Sequence, residues 1–167
     1  TATNSIGTSS PSASSNSITT QSAIPVRKAI FGYGTTNGST GQSMTNLVTN
    51  TGVVGNDVTG VGTARYGLAA AAYGGDKAIF GYGYSSPSLT AVTNLVSNTG
   101  VVANDTAGVG TARYAPSAAG YGTDKAIFGY GSLFSSYTSI TNLVSNTGVV
   151  GNDVTGVGTV RAFAAAA

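Results

Sequence analysis

Four residue types are missing from this chain of 167 residues: cysteine, histidine, tryptophan and glutamate. Their absence removes thiol and imidazole nucleophiles and bases, zinc sites of the usual kind and any disulfide framework. Charge is scarce too. Only 7% of residues are charged, against about a quarter in ordinary globular proteins. The net charge of +2 forms neither a basic stripe for nucleic acid nor an acidic tail. There is no run of 18 apolar residues, so neither a transmembrane helix nor membrane insertion is expected. An initial methionine and a signal-peptide pattern are also absent. That reads as a processed protein or as part of a longer one.

What is present is repetition. The string Lys-Ala-Ile-Phe-Gly-Tyr-Gly begins at Lys28, Lys77 and Lys125, and Thr-Asn-Leu-Val begins at Thr45, Thr93 and Thr141. The period is 48 residues, with one extra residue between the first two copies. A fixed period of this size is the mark of a propeller, solenoid or array. The charges follow the repeat, in columns Asp57/Asp105/Asp153, Arg65/Arg113/Arg161, Asp76/Asp124 and Lys28/Lys77/Lys125, with Arg27 alone outside them. Solvation therefore falls to Ser, Thr, Asn and Gly, a habit associated with extracellular and particle-surface proteins.

Residues 1–25 are rich in Ser and Thr and have no usable periodicity. They read as a linker, or as an extended arm that orders on a partner. The repeats at 26–75, 76–123 and 124–167 read as β throughout. Lys77–Gly83 is a short strand closed by glycines, Thr93–Asn98 is a second, Asn98-Thr-Gly100 is a turn, and Val101-Val102 opens a third. The fourth is Arg65–Gly75. Its alanine run is strand, not helix, because glycines interrupt and end it and its counterpart contains Pro116. Arg161–Ala167 reads as the start of the same strand.

Arg, a small-residue strand, Gly-Gly, an apolar strand ending Phe-Gly-Tyr-Gly, a variable loop and two further strands together resemble a kelch repeat over residues 26–167. Gly-Tyr-Gly stands where that family carries Gly-Gly, and its late tryptophan is absent. The resemblance implies an all-β fold of kelch-like β-propeller blades, with a β-solenoid or trimeric β fibre as the alternative. Three blades are too few for a propeller of four to eight. Closure would come from oligomerisation or from sequence outside this chain. The wording of the repeat also resembles repeat proteins of marine bacteriophages, often labelled fibre or structural proteins.

The Asp57, Asp105 and Asp153 segments carry one carboxylate each, which makes a weak calcium site. They read as turns, with Arg65, Arg113 and Arg161 as ion-pair partners between blades. Lys28, Lys77 and Lys125, copied beside aspartates, read as surface pairs and not as catalytic lysines. Gly-Tyr-Gly lacks the Lys-Ser/Thr and helix of a phosphate loop. The phenylalanine and tyrosine two residues apart in each copy are expected on one sheet face. Asn37-Gly-Ser and Asn104-Asp-Thr match the glycosylation pattern.

The loops that are not copied, Thr35–Ser43, Tyr84–Ala91 and Ser132–Ser139, are where binding specificity is expected. Asn37, Tyr84, Phe134 and Tyr137 are the candidate contacts, suited to a glycan or protein surface. The expected protein is not an enzyme and uses no metal or cofactor. It is a phage fibre or appendage at the virion surface, outside the cell. Its partners are other copies of itself, other virion proteins through residues 1–25, and a host-surface glycan or protein. A purely architectural decoration or strand-exchanging filament subunit is the alternative.

Overall fold

The computed structural model describes residues 28–167, so the expected arm and Arg27 lie outside it. The described residues are all-β: ten strands and no helix. The pairings centre on Ala-Ile-Phe-Gly, whose branched and aromatic side chains suit a pleated surface. In the first sheet, β1 (Ala29–Gly32) pairs antiparallel with β2 (Thr45–Val48). The second sheet has β4 (Lys77–Gly81) between β3 (Ala69–Tyr73) and β7 (Thr93–Val96), with the small hairpin β5 (Tyr84–Ser85) and β6 (Ser88–Leu89) between β4 and β7 in the chain. The third has β9 (Lys125–Ser132) between β8 (Ser117–Tyr121) and β10 (Tyr137–Val144).

The register is the same each time: Ile30 opposes Leu47, Ile79 opposes Leu95 and Ile127 opposes Leu143. The expected third strand of each copy, opening at Val101-Val102 in the second, forms isolated bridges instead. Val96 pairs with Val102 and Thr93 with Thr106, and the other copies match. Between those bridges a side chain replaces ladder rungs. The Asn94 amide donates to the Ala103 carbonyl at 3.1 Å and to Asp105 Oδ1 at 2.9 Å.

The alanine run does form a strand, β3, and it packs beside β8. Small residues are required there, because a Cβ on Gly120 would sit 3.3 Å from the Ala72 carbonyl. Arg161–Ala167, in contrast, forms no strand. β3 and β8 become strands by pairing with the strand that follows each, β4 and β9. No described strand lies in that position beside Ala164–Ala167. The segment is held by other bonds, from the Phe163 amide to the Ala115 carbonyl at 3.2 Å and from the Ser117 hydroxyl to the Ala164 carbonyl at 2.5 Å.

Two apolar clusters fill the seams between sheets. Tyr33, Phe80, Val96 and Val102 form one, and Tyr73, Ile79, Tyr82, Ala126, Phe128, Val144 and Val150 the other. Phe80 meets the ring of Tyr33 edge-on at 5.2 Å, and Phe128 meets Tyr82 the same way at 5.1 Å. Phe80 and Tyr82 thus face opposite neighbours, contrary to the expectation of a shared face. The tyrosine adopts a left-handed backbone (φ 64° at Tyr82, 63° at Tyr33, 61° at Tyr130), which breaks the strand alternation and swings its ring across. The second sheet thereby presents Phe80 to the first sheet and Tyr82 to the third.

Candidate functional site

The repeated arginines hold the straps that join sheet to sheet: Val61–Arg65, Val109–Arg113 and Val157–Arg161 in the three copies. Arg65 is fully buried. Its Nε donates to the Tyr82 carbonyl at 3.0 Å, its Nη1 to Thr63 O at 3.0 Å and its Nη2 to Asn94 Oδ1 at 2.7 Å. The guanidinium lies 4.2 Å from the centre of the Tyr33 ring, an attraction that strengthens once water is excluded. Arg113 lies over Tyr82 at 4.0 Å and Arg161 over Tyr130 at 3.9 Å. Arg113 donates to Thr111 O at 3.0 Å, while its Nε and Nη2 and the Asn142 Oδ1 have no hydrogen-bond partner. Burial lowers the pKa of Arg65 and Arg113 and raises those of Tyr33 and Tyr82.

The aspartates do not form the expected ion pairs with these arginines. Among the described residues the ion pairs are Lys77–Asp76 at 3.1 Å and Lys125–Asp124 at 3.0 Å, both at the surface. Asp105 instead accepts from the amide of Thr63 at 3.0 Å, from its hydroxyl at 2.5 Å and from Asn94. Asp153 takes the same bonds from Thr111 and Asn142. The Arg65 fork is filled by two carbonyls and an amide oxygen, while the Asp105 carboxylate clamps the strap backbone. Burial pushes Asp105 and Asp153 up. The hydrogen bonds from threonine and asparagine, and the nearby arginine charge, outweigh it and hold both carboxyls below the usual range. Asp57 bonds to Asn46 at 2.8 Å.

The residue after each buried arginine carries the strap to the rim of the molecule. Tyr66 and Tyr84 exchange both backbone hydrogen bonds, at 3.0 and 2.8 Å, and Tyr114 does the same with Ser132, at 2.9 and 2.7 Å. These bridges place strap rings beside the non-repeated loops. Tyr84 meets Tyr66 at 5.3 Å and Phe134 at 5.4 Å. Tyr114 meets Tyr66 at 5.9 Å, Phe134 at 6.4 Å and Phe163 at 5.7 Å. Five aromatic rings therefore form one connected cluster whose outer members, Phe134 and Phe163, are 62% and 71% exposed.

Of the four candidate loop residues, Tyr84 and Phe134 belong to this cluster. Tyr137 is exposed and makes none of its ring contacts. Asn37 turns inward on its own loop, its Oδ1 accepting from the amides of Ser39 at 3.0 Å and Thr40 at 2.8 Å. Tyr66, Tyr114 and Phe163 were not anticipated. The available signal was the tyrosine directly after Arg65 and Arg113. The cluster offers ring faces and edges together with the three phenols of Tyr66, Tyr84 and Tyr114.

No family model matches this chain, and no curated protein does. Among solved structures, it resembles a fungal alcohol oxidase of the AA5 family in complex with copper. The TM-score is 0.50 and the identity 16%, over 73% of this chain. The chain spans 27% of that protein's length, and the likeness is one of fold. It corrects the expectation that this protein is not an enzyme: a similar arrangement of strands occurs in an oxidase. This chain has neither histidine nor cysteine, the imidazole and thiolate ligands suited to copper. Among the described residues no three His, Cys, Asp or Glu side chains converge.

Proposed function

We propose that this chain is a structural protein of a bacteriophage particle, a fibre or surface appendage whose aromatic rim contacts the host surface. The sheets are kelch-like propeller blades, and residues 1–25 connect them to other virion proteins. The observation that carries the reading is the cluster of Tyr66, Tyr84, Tyr114, Phe134 and Phe163. It joins rings from repeated straps to rings from loops that are not repeated. A fixed scaffold that presents partly exposed rings suits a glycan or a protein side chain. Many copies on one particle make weak single contacts sufficient through avidity.

The test is binding of the purified chain to host cells and to a glycan array. Phe134→Ala with Phe163→Ala is expected to lower binding at least tenfold per site, the scale of an aromatic anchor worth about 1–2 kcal/mol. Unchanged host binding by that variant, with its fold intact, ends the adhesive reading.

A further inference from the structure

The uncopied loop between β1 and β2 is built around one side chain. Thr35 and Gly41 close the loop with an isolated bridge. Inside it, four donors converge on the amide oxygen of Asn37. They are the backbone N–H groups of Ser39 at 3.0 Å and Thr40 at 2.8 Å, the Ser39 hydroxyl at 3.2 Å and the Thr35 hydroxyl at 3.3 Å. The Asn37 Nδ2 donates to the Thr40 hydroxyl at 3.1 Å. The next residue is Gly38, at φ 80° and with nothing within 4 Å of the place a Cβ would take. Its N–H has no hydrogen-bond partner among the described residues. Of all the asparagines in the chain, Asn37 alone is followed by glycine.

A neutral amide oxygen has two lone pairs and is satisfied by two donors. Four donors suit the same oxygen better once it carries a negative charge, as it does when a nucleophile adds to the amide carbon. The nucleophile at hand is the Gly38 nitrogen, which closes a five-membered ring when it bonds to Asn37 Cγ. Nothing competes for its proton, no side chain on Gly38 obstructs the approach, and the loop is exposed to solvent base. Proximity of this kind turns a bimolecular step into a unimolecular one.

We propose that this loop is a self-modifying site that converts Asn37 to an acid. Solvent hydroxide takes the Gly38 amide proton, and the nitrogen bonds to Asn37 Cγ. The oxyanion forms on Oδ1, inside the cradle of four donors. The Cγ–Nδ2 bond then breaks, and the nitrogen takes a proton from solvent through the Thr40 hydroxyl and leaves as ammonia. The succinimide that remains takes up one water and opens at either carbonyl, to aspartate or to isoaspartate. The balance is an amide and a water in, a carboxylate and an ammonium out. Residues Thr35–Ser43 carry no charge, so the reaction installs the first one in a loop expected to set specificity. The aromatic rim takes no part, so this inference and the host-contact reading stand or fall separately.

The test is a time course on the full chain near neutral pH, folded and guanidinium-unfolded side by side. Trypsin releases the peptide Ala29–Arg65, and mass spectrometry with fragmentation reads loss of the Asn37 amide. The folded chain is expected to react faster by about tenfold, less than the roughly hundredfold effect of one buried oxyanion donor, because the loop is exposed. Thr35→Val and Ser39→Ala each remove one hydroxyl donor from Oδ1 and are expected to slow the folded reaction. A folded rate equal to or below the unfolded one means that the donors hold the amide in place, and it overturns the proposal. A rate that neither variant lowers overturns it as well. Should a variant disturb the loop, the comparison of folded with unfolded wild type decides alone.

Discussion

One position in the repeat holds the same residue in two environments. Phe31, Phe80 and Phe128 occupy equivalent places in β1, β4 and β9, but Phe31 is exposed while the other two are buried. Truncating a buried phenylalanine to alanine costs about 3–5 kcal/mol, transfer and cavity together. Part of this is the edge-on ring contact, at 5.1 Å to Tyr82 for Phe128 and 5.2 Å to Tyr33 for Phe80, worth about 0.5–1.5 kcal/mol. Phe128→Ala and Phe80→Ala are therefore each expected to lose about 3–5 kcal/mol. At about 2–4 °C per kcal/mol for a domain of this size, that lowers the melting temperature by roughly 10 °C. Phe31→Ala is expected within about 0.5 kcal/mol of wild type. Urea unfolding, at a concentration where the chain sediments as a monomer, reads all three. A Phe31→Ala loss as large as that of Phe128→Ala would refute the exposure of Phe31. A loss under about 1 kcal/mol at Phe128 would refute the packing of the seam itself.

Two further outcomes follow from the polar clamps. Arg65→Met strands the Tyr82 carbonyl and Asn94 Oδ1, each costing about 1–3 kcal/mol when buried without a donor. The Arg113 side chain donates a single hydrogen bond, to Thr111 O. Urea midpoints should therefore show the larger loss at Arg65, and an equal or larger loss for Arg113→Met contradicts the bonding pattern. The second outcome concerns pH. Asp105 and Asp153 have folded-state pKa values below their unfolded ones, so their contribution is complete above the unfolded value and fades as pH falls through the folded value. Stability should decline below about pH 4, and the double variant Asp105→Asn, Asp153→Asn should flatten that decline. An unflattened slope in urea titrations from pH 7 to pH 2 counts against the clamps.

Much of the strand content was legible in the sequence, because Ala-Ile-Phe-Gly and Thr-Asn-Leu-Val read as strands whichever way the chain closes. The alanine run at Ala69–Ala72 could be told from a helix by its flanking glycines. Side-chain direction was harder. Alternation puts Phe80 and Tyr82 on one face only if the backbone between them stays extended, and no residue type announces a tyrosine at φ 64°. The arginine partner was misjudged for a similar reason. Charge favours Asp105, but the fork geometry and burial of Arg65 favour three oxygens of the backbone and Asn94. In the candidate site, Tyr84 and Phe134 stood out as aromatic residues in uncopied loops. Tyr66 and Tyr114 did not, since a copied residue reads as scaffold until its strap is seen to end at the rim.

Phe80 lies over Gly32 and Phe128 over Gly81, and this glycine seat has a consequence for how such a chain can change in length. When every seam uses the same knob and the same seat, inserting or deleting one whole 48-residue unit leaves each remaining seam as it was. Stability then behaves as a nearest-neighbour sum, with one intrinsic contribution per unit and one coupling per seam. Within the described residues the first unit has one coupled neighbour and the second has two. Fraying should therefore begin at β1 and β2 and reach the second sheet last, an order that hydrogen exchange can follow strand by strand.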